Sequence, residues 1–171
     1  MIRKKMKSTM KEMSLITKTE LLQKTEEAAL IEKRSASSVS VVFLDGREEQ
    51  LACNAEEMLN ELCLRNGSSL KGRFEAVKYL ADAKTKFPVL IRERDCLIFF
   101  PILGYDSSPV NYWINDSALI LFNPIGREAT ELLFSSGLSL TIPYDSRMIK
   151  RQRILCERFR NMLVRAGKGE S

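Results

Sequence analysis

Val39-Ser40-Val41-Val42-Phe43-Leu44 is an apolar, β-branched run and predicts a strand. Asp45-Gly46 supplies the turn of a hairpin, with a return strand near Glu49 to Cys53. The period then changes. Asn54 is placed to cap a helix whose first turn carries Glu56 and Glu57 and whose apolar face is Met58, Leu59, Leu62 and Cys63; Asn66-Gly67 ends it. Phe74 to Ala81 fits either period and is read as a helix. Pro88-Val89-Leu90-Ile91 and Cys96-Leu97-Ile98-Phe99-Phe100 read as a strand pair about a polar turn. Further strands are predicted at Tyr112–Ile114 and Ala118–Phe122. Leu132–Phe134 and Leu138–Ile142 flank a short hairpin loop. A long amphipathic helix follows from Ser146 to about Ala166. The fold class is α+β: a mostly antiparallel sheet, two short central helices and a long C-terminal amphipathic helix.

Residues 1–38 differ in character, being rich in Lys, Glu, Thr and Met and free of aromatics. Leu21, Leu22 and Ala28 to Ile31 predict a helix over about 18–34, and Ser35-Ala36-Ser37-Ser38 a break. This region is read as a partly ordered N-terminal arm, and 39–168 as the folded domain. The basic start, Met1 to Lys7, is followed by residues too polar for a signal peptide, and no stretch is long and apolar enough for a membrane span.

Composition narrows the chemistry. The 171 residues contain no histidine, which removes histidine-based acid–base, nucleophilic and metal chemistry. Cys53, Cys63, Cys96 and Cys156 form no Cys-x-x-Cys pair and read as reduced thiols acting as small apolar groups. Glu48-Glu49 and Glu56-Glu57 diverge as neighbours and make no acid–base dyad. An enzyme, a cofactor and a metal are therefore not expected. The net charge of +5 and a pI near 9.1 favour a phosphate-bearing partner.

Two features give that charge a location. Gly67-Ser68-Ser69-Leu70-Lys71-Gly72-Arg73-Phe74 has the glycine spacing of a P-loop without its Lys-Ser/Thr, so nucleotide hydrolysis is rejected. Two readings of the loop remain: backbone N–H groups with Ser68, Ser69, Lys71 and Arg73 around a phosphate, or a simple helix-to-helix turn. In the last helix Arg147, Arg151, Arg158 and Arg165 fall within a sector of about 40°. Met148, Ile149, Leu155, Cys156, Phe159, Leu163 and Ala166 form the adjoining packing face. Lys150, Arg153, Arg160 and Lys168 would widen the cationic surface, against Glu157 alone. Such a stripe suits nucleic acid, an acidic protein partner or plain solvation. Tyr112 and Trp113 suit base stacking or core packing.

Several blocks in order resemble the ComK family of bacterial competence transcription factors. They are Cys63-Leu64-Arg65-Asn66-Gly67-Ser68-Ser69-Leu70-Lys71-Gly72-Arg73, Lys86 to Ile91, Ile98-Phe99-Phe100-Pro101, Trp113-Ile114, Phe134 to Leu138, Pro143 and the arginine-bearing helix. Ile102 stands where the family usually has Thr, and Tyr112 where it often has Cys. The resemblance implies a cytoplasmic, nucleoid-associated activator whose ComK-like DNA-binding domain, 39–168, recognises A·T-rich duplex through the minor groove as a homo-oligomer. It also implies a regulatory adaptor protein as partner. DNA would be held by Ser68, Ser69, Lys71, Arg73, Arg147, Arg151, Arg158 and Arg165. The alternative is a non-enzymatic interaction protein of the same fold that binds an acidic protein.

Overall fold

In a computed structural model the backbone is described for residues 2–103 and 110–169, and side chains for 12–102 and 112–169. The side chains of the basic run Met1–Lys7 lie outside the described residues. Helix α1 (Ile2–Gln23) leads through a short 3₁₀ turn (Thr25–Glu27) into strands β1 (Ala28–Ser35), β2 (Ser38–Phe43) and β3 (Glu48–Leu51). Helices α2 (Ala55–Leu64) and α3 (Leu70–Ala81) follow, then strands β4 (Val89–Arg92), β5 (Leu97–Leu103) and β6 (Val110–Asn115). A smaller unit of β7 (Leu119–Ile125), β8 (Ala129–Phe134) and β9 (Ser139–Ile142) precedes the long helix α4 (Ser146–Gly167).

The main sheet has the order β3-β2-β1-β6-β5-β4, the small one β7-β8-β9, and every pairing is antiparallel. The main sheet is buried on both faces. One face carries Ile31, Val39, Val41, Val89, Ile91, Phe99 and Trp113 against Met58, Leu59 and Leu62 of α2 and Leu70 of α3. The other carries Leu30, Leu90, Ile98, Phe100, Ile102 and Ile114 against Ile149, Cys156 and Phe159 of α4 and Leu132, Phe134 and Ile142 of the small sheet. Two-sided burial explains why β4 and β5 read as continuous apolar runs rather than alternating ones.

The local signals act as predicted. Asn54 caps α2 by accepting from the Glu57 N–H at 3.0 Å. The turn after β2 closes through Gly46. The expected helix over 18–34 is corrected. Helix α1 ends at Gln23, and residues 28–35 form a strand paired with β2 on one side and β6 on the other. Its Ala, Leu, Glu and Lys favour a helix locally, but the packing of Leu30 and Ile31 between two layers overrides that preference. The boundary drawn between 38 and 39 thus falls at the start of β2, inside the β1–β2 hairpin. Cys63 and Cys156 lie in the apolar layers, and burial pushes the Cys63 thiol up to about 11.

Candidate nucleic-acid interface

Helix α4 starts at Asp145, whose side chain accepts from the Arg147 N–H at 2.8 Å. The Arg147 guanidinium folds back on the same carboxylate at 2.6 Å and 2.9 Å, and these bonds hold the Asp145 carboxyl below its usual range. Ile149, Gln152, Cys156 and Phe159 are buried and spaced by three and four residues, which gives one inward stripe. The Gln152 amide donates to the Lys86 carbonyl at 2.9 Å, tying the helix to the segment before β4. Arg147, Arg151, Arg158 and Arg165 lie about 160–200° round the helix from Ile149, and all four are exposed. Lys150 and Lys168 are exposed as well.

Arg153 and Arg160 do not widen this surface as expected. They lie about 40° and 20° from Ile149, on the flank of the buried face. Both turn inward to Asp116 in the turn between β6 and β7. Arg153 Nη1 donates to Asp116 Oδ1 at 3.1 Å and to the carbonyls of Asp116 and Leu119 at 3.0 and 2.9 Å. Arg160 Nη1 donates to Asp116 Oδ2, and its Nη2 reaches Ser117 Oγ at 3.2 Å.

The Gly67–Arg73 loop is a tightly built helix junction. Gly67 has φ +90°, the left-handed turn that ends α2. Ser69 caps α3, its hydroxyl accepting from the Gly72 N–H at 2.9 Å. A Cβ on Gly72 would stand 2.8 Å from Ser68 Oγ and 3.2 Å from the capping Ser69 Oγ, so a larger residue there would have to displace the Ser68 hydroxyl and crowd the cap. Ser68 is half-buried and Lys71 is exposed. Arg73, expected at a phosphate, is only 6% exposed. Its Nη1 donates to Glu93 at 2.8 Å and its Nη2 to the Asn66 carbonyl at 3.0 Å, joining the loop to the β4–β5 turn. Trp113 is 3% exposed and packs on Phe74, at 6.5 Å between ring centroids, so it is a core residue rather than a base-stacking one. Tyr112 is half-buried and meets Tyr144 edge-on. Burial, aided by Glu32, pushes its hydroxyl up to about 12.

The structure therefore gathers the four outward arginines on one helix and sets Ser68, Ser69, Lys71 and Arg73 at a junction on the other layer, where only Lys71 is fully open to solvent. It adds Asp116, which sequence reading did not single out as a site residue. Its partners stand 37 and 44 residues further along, and no local pattern announces that pairing.

A family model described as ComK protein matches residues 13–167. The chain belongs to the ComK family. Neither the curated proteins nor the solved structures compared with it gave a match. ComK proteins are transcription factors, not enzymes, and this membership gives the chain a competence-transcription-factor-like role. No helix among the described residues is long and apolar enough to cross a membrane.

The Gly-Ser-Ser-x-x-Gly-Arg block of this ComK chain has a structural duty that can be measured. Arg73→Ala removes two hydrogen bonds and opens a cavity at the junction. A loss of about 1–3 kcal/mol of stability is expected. Thermal melting checks it, beside DNA affinity measured well below the lowered midpoint.

Proposed function

We propose that the chain is a DNA-binding transcriptional regulator that selects A·T-rich sites through the minor groove. In this reading Arg147, Arg151, Arg158 and Arg165 of α4 contact the phosphates or enter the groove. Lys71 is the exposed cation of the Gly67–Arg73 loop, with Ser68, Ser69 and Arg73 shaping it. The observation that carries the proposal is the near-uniform positive sign of α4's outward face on a helix firmly packed on its other side. Arginine forks pair with phosphate and suit narrow grooves. We also place the protein in the cytoplasm, at the nucleoid, as a homo-oligomer. Exposed Ile120, Leu121 and Ile125 on β7, an outer strand of the small sheet, support self-association.

The test is competition between duplexes. The minor groove distinguishes mainly A·T from G·C, and A-tracts deepen its negative potential. Binding to A-tract duplex is expected to be tighter by about tenfold or more at physiological salt, and a minor-groove drug is expected to abolish the difference. Equal affinity for both duplexes would overturn minor-groove selectivity.

A further inference from the structure

Asp116 has a side chain only 4% exposed, and it faces two guanidinium groups from α4. Arg153 and Arg160 are seven residues apart, about 10.5 Å along the helix axis, yet both reach opposite oxygens of one carboxylate. The same arginines also bond the carbonyls of Asp116 and Leu119 and the hydroxyl of Ser117. Asp116 is itself fixed, its N–H donating to the Ile98 carbonyl of β5 at 2.9 Å. Beside these bonds an open surface cleft of about 620 Å³ runs between α4 and β7, lined by Lys150, Ile154, Phe122 and Asn161. Asp116, Arg153 and Arg160 also line the cleft, and their bonds join helix and turn beside the apolar contact of Leu119 with the α4 core residues.

Apolar packing and these bonds constrain the helix differently. Burial of Ile149, Cys156 and Phe159 decides which face turns inward, but it is non-directional. A shift by one turn, about 5.4 Å, would still leave an apolar stripe over the sheet. Each guanidinium gives the Asp116 carboxylate one nitrogen, Arg153 Nη1 on Oδ1 and Arg160 Nη1 on Oδ2, and these directional, charge-assisted bonds from two successive heptad positions favour one rotation and axial register of the helix. Arg151, Arg158 and Arg165 project from the opposite side of the same rigid rod, so that register also sets where their charges stand.

We propose that Asp116, through Arg153 and Arg160, is a positioning residue for the DNA face and a determinant of its A·T selectivity. Arg153 and Arg160 are thereby held out of the phosphate-contacting set although they are basic and on the same helix. This inference rests on the DNA reading given above.

The experiment uses the full chain, A·T-rich and G·C-rich duplexes, and two variants. One is the pair Arg153→Lys with Arg160→Lys, which keeps every charge and loses the planar guanidinium that reaches the carboxylate and the neighbouring carbonyl and hydroxyl acceptors together. The other is Asp116→Asn, which keeps the shape of the side chain and loses its charge. Circular dichroism and melting set a temperature at which each variant is folded; the lysine pair, being charge-neutral in effect, serves if Asp116→Asn does not fold. For the lysine pair, G·C-rich affinity and the dependence of binding on salt are expected to match wild type, while the A·T over G·C preference falls by about tenfold, roughly the worth of one lost base-pair discrimination. Asp116→Asn is expected to lose preference likewise. A preserved preference in the folded lysine pair overturns the proposal, because a purely structural tie would lower the melting point alone. Equal loss on both duplexes with a shallower salt dependence also overturns it, since the two arginines would then be phosphate contacts themselves. A wild-type protein without preference refutes the DNA reading instead, and takes the positioning role with it.

Discussion

Deleting residues 1–38 is expected to abolish folding, whereas a chain beginning at Met13 is expected to keep a cooperative thermal transition. The difference lies in β1 and the helix ahead of it. Strand β1 is an inner strand of the main sheet, and its removal leaves β2 and β6 with unpaired backbone groups on facing edges. Leu21, Leu30 and Ile31 are almost wholly buried. Each such side chain is worth about 1.5–3 kcal/mol, and the three together approach a typical net stability of about 5–15 kcal/mol. A chain starting at Met13 retains these residues. It also keeps the Ser14 hydroxyl accepting from the Ala52 N–H at 2.8 Å, the Lys18–Glu61 pair and the Arg47–Glu20 pair. We therefore propose that the folded unit begins ahead of β1, in α1. Circular dichroism with heat denaturation of the two truncations decides the matter. A cooperative melt from a chain starting at Val39 would restore the arm-and-domain division read from the sequence.

The error over β1 and the success over β4 to β6 have one physical source. Strands β4 and β5 carry Val, Ile and Phe, whose local preference agrees with their place between two covering layers, so period and composition point the same way. Ala28-Ala29-Leu30-Ile31-Glu32-Lys33 is built largely from helix formers, and only its partners, Val41 and Trp113 opposite Ile31, make it a strand. The same contrast divides the candidate site. The outward arginines of α4 follow from helical geometry alone, and the structure leaves them exposed. Arg153 and Arg160 share their chemistry and their helix, but Asp116, distant in sequence, turns them inward. The loop arginine was open to two readings for a like reason. Lys71 and Arg73 are two residues apart at the start of α3, and helical rotation sends the first to solvent and the second into the junction with Glu93 and Asn66.

Replacing Arg151 and Arg158 together by alanine is expected to lower the slope of log affinity against log salt by about two. Each arginine that contacts a phosphate releases about one counterion equivalent on binding. Over a fourfold rise in salt, the wild type would then lose roughly ten times more affinity than the double variant. These two positions suit the test because both are exposed, and among the described residues neither donates a hydrogen bond or makes an ion pair with an acidic group. Their removal should therefore leave the melting point nearly unchanged, as for other surface substitutions. Arg147→Ala offers a useful contrast. Its guanidinium is already engaged with Asp145, so a phosphate contact there must compete with that carboxylate, and a smaller change in slope is expected. The effect of the double change should be alike on A·T-rich and G·C-rich duplexes if the contacts are to phosphates, and greater on A·T-rich duplex if either arginine enters the minor groove. A salt titration of wild type and double variant on both duplexes reads these outcomes together. An unchanged slope would remove α4 from the DNA surface and leave the Gly67–Arg73 loop, through exposed Lys71, as the remaining candidate. The arginine stripe would then fit the acidic-protein alternative, in which the same fold presents the same forks to carboxylates instead of phosphates.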